Sequence, residues 1–170
     1  DSSWSSEIDI PSTLSAGNYT VIVSFVSSSD TLPDEKVELS LSIIGTSTIS
    51  LESDSIKVTR GDTITLEGEL SDHLGNPISD EEIQIIWDGV VLGTAVTEPD
   101  GDFSYEYLVT IDTILGNLNW SANFSGNYFH EGSSSSQVTE VYQQTVINFD
   151  LDKTHFYAGE QFLISGNLSM

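Results

Sequence analysis

The chain repeats itself. Moved back by about 98 residues, Val146-Ile147-Asn148-Phe149 falls on Thr48-Ile49-Ser50-Leu51, with Asp150 on Glu52 and Asp152 on Asp54. Gly159 and Glu160 then fall on Gly61 and Asp62, and Phe162, Ile164, Gly166 and Leu168 on Ile64, Leu66, Gly68 and Leu70. The N-terminal stretch, moved forward by about 99, sets Trp4 on Phe103, Gly17 on Gly116, Asn18 on Asn117 and Phe25 on Phe124. The match decays after Phe25, where a loop must differ by a residue or so. Self-similarity at this period means tandem units whose stability is close to a sum of unit and junction terms. One whole unit is expected at 46–144, behind the back half of another (1–45) and before the front strands of a third (145–170). The chain opens on Asp1 with neither a leader nor an initiator Met, and is expected to be a segment of a longer array. The alternative is a subunit whose ends complete each other across neighbouring copies.

Within a unit the hydrophobic period is two. Ile64, Leu66 and Leu70 alternate with Thr63, Thr65, Glu67 and Glu69, the pattern of a strand with one buried face. Trp120-Ser-Ala-Asn-Phe124 and Val37-Glu-Leu-Ser-Leu-Ser-Ile43 behave alike, and Gly-Asp, Gly-Asn and Asp-Gly turns punctuate them. No stretch has a helical period. Short strands separated by turns, in units of about 98 residues, predict an all-β fold of immunoglobulin-like β-sandwich tandem repeats. The junction stretches Gly45 to Ser50 and Gln143 to Asn148 are expected to carry a terminal strand into the next unit almost without linker, giving a semi-rigid rod.

Several segments of the whole unit carry a family pattern: Val58-Thr-Arg-Gly-Asp-Thr-Ile-Thr-Leu-Glu-Gly68, Asp72-His-Leu-Gly-Asn-Pro-Ile78, Trp87-Asp-Gly-Val-Val-Leu-Gly-Thr94 and Glu98-Pro-Asp-Gly-Asp-Phe-Ser-Tyr105. With Ile114 to Asn117 and Phe124 to Tyr128, they resemble immunoglobulin-like repeats of bacterial and archaeal cell-surface proteins, of the adhesin and S-layer type. The resemblance implies a spacer, stalk, adhesin shaft or lattice part in an extracellular or cell-surface setting. One departure is Asp1-Ser-Ser-Trp4, which stands where the whole unit has Asp100-Gly-Asp-Phe103.

Charge narrows the function classes. Asp and Glu number 27 against 4 Lys and Arg, a formal net charge of −23. Such a surface repels nucleic-acid phosphates and anionic headgroups, and suits cations and high salt. Cysteine is absent, which removes disulfides, thiol catalysis and thiolate metal sites. No apolar run approaches the ~20 residues of a membrane helix. The three histidines, His73, His130 and His155, lie far apart with no paired ligand spacing, and no nucleophile elbow, phosphate loop or zinc motif occurs. The chain is therefore read as no enzyme.

Candidate sites remain. Glu52 and Asp54 recur as Asp150 and Asp152, and acidic i, i+2 pairs on a strand share a face, so a junctional Ca²⁺ is the cofactor they would suit. Asp100 and Asp102 are a second such pair. The competing reading is a solvated acidic edge that discourages edge-to-edge pairing. Asn18, Asn119, Asn123 and Asn167 head N-x-S/T sequons, and serine tracts lie at Ser27 to Ser29 and Ser133 to Ser136. Arg60-Gly61-Asp62 spells an integrin-binding tripeptide, but its counterpart is Ala158-Gly159-Glu160, so a structural turn is expected there. Trp4, Trp87, Phe103, Trp120 and Phe124 are expected in the core rather than in a glycan-stacking platform, because the repeat places aromatics at equivalent strand positions. Tyr128 and Phe129, in a loop, are the better contact candidates. Expected partners are neighbouring repeats or copies of the chain, with surface glycans or other surface proteins as alternatives.

Overall fold

The computed structural model describes residues 4–26 and 35–170; the Ser27 to Ser29 tract and Asp1 to Ser3 lie outside the described residues. Every described element is a strand. They run β1 (Gly17–Phe25), β2 (Glu35–Ile43), β3 (Ser47–Ile49), β4 (Glu52–Ser53), β5 (Lys57–Thr59), β6 (Thr63–Asp72), β7 (Glu82–Trp87), β8 (Val90–Val96), β9 (Asp102–Leu108), β10 (Gly116–Phe124), β11 (Ser133–Tyr142), β12 (Val146–Leu151) and β13 (Ile164–Ser169).

Strands β3 to β11 form a two-layer sandwich. One sheet has the order β5-β11-β10-β7-β8. In the other, β6 pairs with β3 and β4 and with β9. Leu66 and Glu67 pair with β4 and β9 at once, so these flank β6 on opposite edges. The Ser50 N–H donates to the Glu69 carbonyl, which makes β3 and β4 one interrupted strand. Strand β5 crosses to the second sheet and runs parallel to β11. This is immunoglobulin-like topology, an A-B-E layer facing an A′-G-F-C-C′ layer. The period-two pattern predicts the inward side correctly: Ile64, Leu66, Leu70, Ile83, Ile85, Val109 and Trp120 have no exposed surface.

The flanking segments reproduce pieces of the sandwich in matching register. Hairpin β12–β13 pairs Val146 with Ser169, the counterpart of Thr48 with Ser71 in β3–β6. Hairpin β1–β2 pairs Gly17 with Ile43, the counterpart of Gly116 with Val141 in β10–β11. The loop that the sequence required to differ lies between β1 and β2.

Position 4 departs from expectation. Trp4 is 75% exposed and outside any strand, whereas its counterpart Phe103 is buried. Phe103 is held inward because β9 zips onto β6. Among the described residues no strand pairs with residues 4–16, so nothing turns Trp4 toward an interior.

Candidate functional site

Three surfaces of the sandwich merit comparison: the junction with β2, the outer face of the β6–β9 sheet, and the outer face of the β10–β11 sheet.

At the junction only residues 44–46 separate β2 from β3. Gly45 is buried, and its N–H donates to the Phe129 carbonyl at 2.9 Å while its own carbonyl accepts from the Glu131 N–H at 2.9 Å. The connecting chain is thus bonded into the β10–β11 loop. A Cβ at position 45 would stand 2.8 Å from the His73 Nδ1 and 3.3 Å from the Ala16 Cβ, so His73, from the β6–β7 loop, and Ala16, just before β1, close on this glycine from two sides. The β10–β11 loop is itself stiff. The Asn127 carboxamide oxygen accepts from the N–H groups of Phe129 (2.9 Å) and His130 (2.8 Å), and its Nδ2 donates to Glu81 at 2.6 Å. Tyr128 rides on this loop, 71% exposed, with its ring edge-on to Phe129 at 4.8 Å.

The β6–β7 loop has its own internal anchor, which sequence reading did not single out. The Asp72 carboxylate accepts from the backbone N–H groups of Leu74 and Asn76, each at 2.8 Å, and from the Asn76 side chain at 2.9 Å. Burial pushes its pKa up, but the hydrogen bonds from Asn76 and Leu74 outweigh that and leave it below the ordinary carboxylate range. Asp followed by Gly-Asn-Pro is the signal that could have found it.

The outer face of the β6–β9 sheet is acidic. Glu52 stands opposite Glu67, and Glu69 opposite Asp102. They line a shallow cleft of about 420 Å³ with Ser50 and Glu98. Directly opposed like charges destabilise a sheet, and salt weakens the repulsion. Glu67→Lys is therefore expected to raise the Tm by roughly 3 °C at low ionic strength, with most of the gain gone in ~1 M NaCl. Thermal scans at the two salt concentrations check it; an equal shift in both would refute the electrostatic cause.

The acidic pairs read from the sequence do not converge. The Asp54 carboxylate accepts from the Thr65 N–H at 3.2 Å, away from Glu52 in its cleft. Asp100 accepts from the Asp102 N–H at 3.3 Å, fixing the turn at Gly101. Asp150 accepts from the neighbouring Leu151 N–H at 2.9 Å, while Asp152 follows the end of β12. Among the described residues no group of three or more His, Cys, Asp or Glu is placed to hold a metal ion. The histidines are equally scattered: His73 lies beside Gly45, His130 beside Asn127 at 3.2 Å, and His155 beside the Thr154 hydroxyl at 3.0 Å.

The other outer face has a different character. Asn119, Ser121 and Asn123 of β10, with Ser134 and Ser136 of β11, form a strip of amides and hydroxyls. Asn119 donates to the Ser121 hydroxyl of its own sequon at 3.1 Å. Asn18 on β1 is exposed as well, accepting from the Ser42 hydroxyl at 2.8 Å, and Asn167 is exposed on β13. All four sequon asparagines thus stand on strands with their side chains outside a core.

Arg60-Gly61-Asp62 is a corner. Gly61 has φ of +99°, and the Asp62 carboxylate accepts from the Thr59 N–H at 3.1 Å. The next unit repeats this: Gly159 has φ of +92°, and the Glu160 carboxylate accepts from the Tyr157 N–H at 2.8 Å. The Arg60 guanidinium is spent inside the fold. Its Nε donates to the Thr113 carbonyl at 2.8 Å, Nη2 reaches the same oxygen, and Nη1 donates to Gln143 Oε1 at 2.9 Å. The lysines instead pair with Glu38, Glu140 and Glu160. Arg60 ties the β9–β10 loop to the exit of β11, so Arg60→Ala is expected to cost about 2 kcal/mol. Arg60→Lys should not restore it, because one ammonium cannot span both acceptors. Urea titrations of the two variants decide; full rescue by Lys would mean that charge alone matters.

Trp87, Trp120 and Tyr107 are stacked inside the sandwich, with centroids 3.9 Å (Trp87–Trp120) and 4.6 Å (Trp87–Tyr107) apart. Trp87, Trp120, Phe103 and Phe124 are at most 5% exposed, as expected of core residues, and offer no platform.

The fold and these surfaces define the chain as a non-helical, immunoglobulin-like β-sandwich with flanking hairpins built on the same plan. No protein-family model matches it, and no curated protein does. Among solved structures it is similar to the fibronectin(III)-like modules of CbhA from Clostridium thermocellum, at 18% identity and a TM-score of 0.43, over 76% of this chain. The chain spans 63% of that structure's length.

Proposed function

We propose that this chain is a structural spacer of an extracellular surface protein, a stalk, filament or S-layer-like array, without catalysis of its own. The observation that supports the reading best is the junction. Gly45 is bonded by both backbone groups into the β10–β11 loop, so successive units meet through a clamped connection instead of a free linker. Junctions with few free dihedrals let tandem sandwiches hold a distance, which is what a spacer does. The surface chemistry agrees: a net charge of −23 favours solubility and discourages lateral association. Glycans at Asn18, Asn119, Asn123 and Asn167 would add a hydrated coat. Calcium would act as a counter-ion to the acidic pairs Glu52/Asp54, Asp150/Asp152 and Asp100/Asp102.

The test is ¹⁵N relaxation of β1–β2 against β6 and β10. A shared rotational correlation time supports the spacer. Faster, independent tumbling of β1–β2 would sink it. The second reading, a glycan-binding or adhesin module, is favoured by one feature, the exposed Tyr128 on its stiffened loop. It predicts glycan-array signals that Tyr128→Ala removes.

A further inference from the structure

The two terminal hairpins expose the side chains that their repeat counterparts bury. On β12–β13, Ile147, Phe149, Ile164 and Leu168 are 59–74% exposed, whereas Ile49, Leu51, Leu66 and Leu70 in the sandwich are at most 8% exposed. On β1–β2, Phe25 and Leu39 are each 55% exposed; Phe25 corresponds to buried Phe124. Apolar surface of this extent, arranged on one face of a sheet, marks an interaction surface. The two faces are opposite layers of one sandwich. Hairpin β12–β13 copies β3/β4–β6, and β1–β2 copies β10–β11 in the facing sheet.

We propose that the hairpins dock on each other between copies of this chain, β12–β13 of one molecule covering β1–β2 of the next. The occupant of each face is thus a second copy. Inside the sandwich the layers are also joined by a polar contact, the Ser47 hydroxyl donating to Ser133 Oγ at 2.7 Å. The corresponding residues are Thr145 and Glu35, a hydroxyl and a carboxylate, so the contact becomes a charge-assisted hydrogen bond. The union supplies four strands, two in each layer, enough to shield the apolar faces from water. Because each copy carries one hairpin of each kind, the contact is head-to-tail and propagates as an open chain. Repulsion between molecules of charge −23 opposes it, so assembly strengthens with salt. The inference stands on the hairpins alone and is independent of the spacer reading.

Sedimentation velocity of the whole chain tests it, from about 1 to 500 μM at ~0.1 and ~1 M NaCl. The expected result is a concentration-dependent series of species beyond dimer, enriched at high salt. Phe149→Asp and Leu39→Asp are each expected to leave monomers with an unchanged sandwich Tm, because neither side chain lies in the sandwich core. Mixed together, these variants should form dimers and nothing larger, since each retains one functional hairpin and the two are complementary. A monomer at every concentration and salt overturns the proposal. So does assembly that survives both substitutions, or a mixture that stays monomeric.

Discussion

Gly68→Ala is expected to unfold the sandwich or to cost more than about 3 kcal/mol, a large share of the 5–15 kcal/mol that holds a typical domain together. The cause is space. A Cβ at position 68 would fall on the carbonyl oxygen of Ser50 and on the ring of Phe103. Neither can yield cheaply. Ser50 sits where β3 passes into β4 along the edge of β6, and its N–H is bonded to Glu69. Phe103 is 3% exposed and packed between the layers. The next unit has the same arrangement: a Cβ on Gly166 would fall on the Asn148 carbonyl oxygen, 98 residues on from Ser50. Gly166→Ala is therefore the control. It should disrupt pairing of β12 with β13 and leave the main thermal transition where it was. Gly61→Ala separates the two uses of glycine, since no atom lies within 4 Å of its Cβ position and only the φ of +99° is strained. Its cost should be about 1–2 kcal/mol. Calorimetry of the three variants gives the ranking; a Gly68→Ala protein melting within a few degrees of the parent would show that β6 and β9 can part without penalty.

Those glycines show how far the sequence could be read. The repeat aligns Gly68 with Gly166 and Gly61 with Gly159, and alignment alone says that each pair shares a reason. It does not say which reason, because steric contact with a residue 18 positions earlier and a left-handed φ leave the same mark in a sequence. Period-two alternation identified the inward residues of β6 and β10 because a sheet with one buried face has no other arrangement. It was silent on Asp72, whose inward position on β6 looks like an error in the pattern until the loop it anchors is seen. The acidic pairs were legible as composition and spacing. Their register was not: that Glu52 faces Glu67, and Glu69 faces Asp102, depends on where β4 and β9 stop along β6. Trp4 misled because equivalence in sequence carries a residue into the core only where a partner strand is present to bury it.

Trp120→Ala is the second large effect, expected at about 3–5 kcal/mol. Trp120 is fully buried at the middle of β10, paired with Trp87 on one side and Gln137 on the other. Removing it leaves a void beside Trp87 and Tyr107 that strands pinned on both edges cannot close. Trp120→Phe should cost far less than its lost volume suggests. The indole N–H of Trp120 is buried with no oxygen or nitrogen acceptor, and only aromatic faces stand near it. Its deletion relieves a desolvated donor and offsets part of the lost packing. Urea unfolding followed by fluorescence measures both variants. Of the three tryptophans, exposed Trp4 is replaced by Phe in the parent, so that the signal reports the buried pair alone. The pairing of results also divides the functional readings. A core tryptophan changes stability and leaves any glycan binding of the folded protein untouched, while Tyr128→Ala does the reverse. If Trp120→Phe abolished glycan binding at undiminished stability, the aromatic cluster would be a recognition surface and the sandwich would have to open to use it.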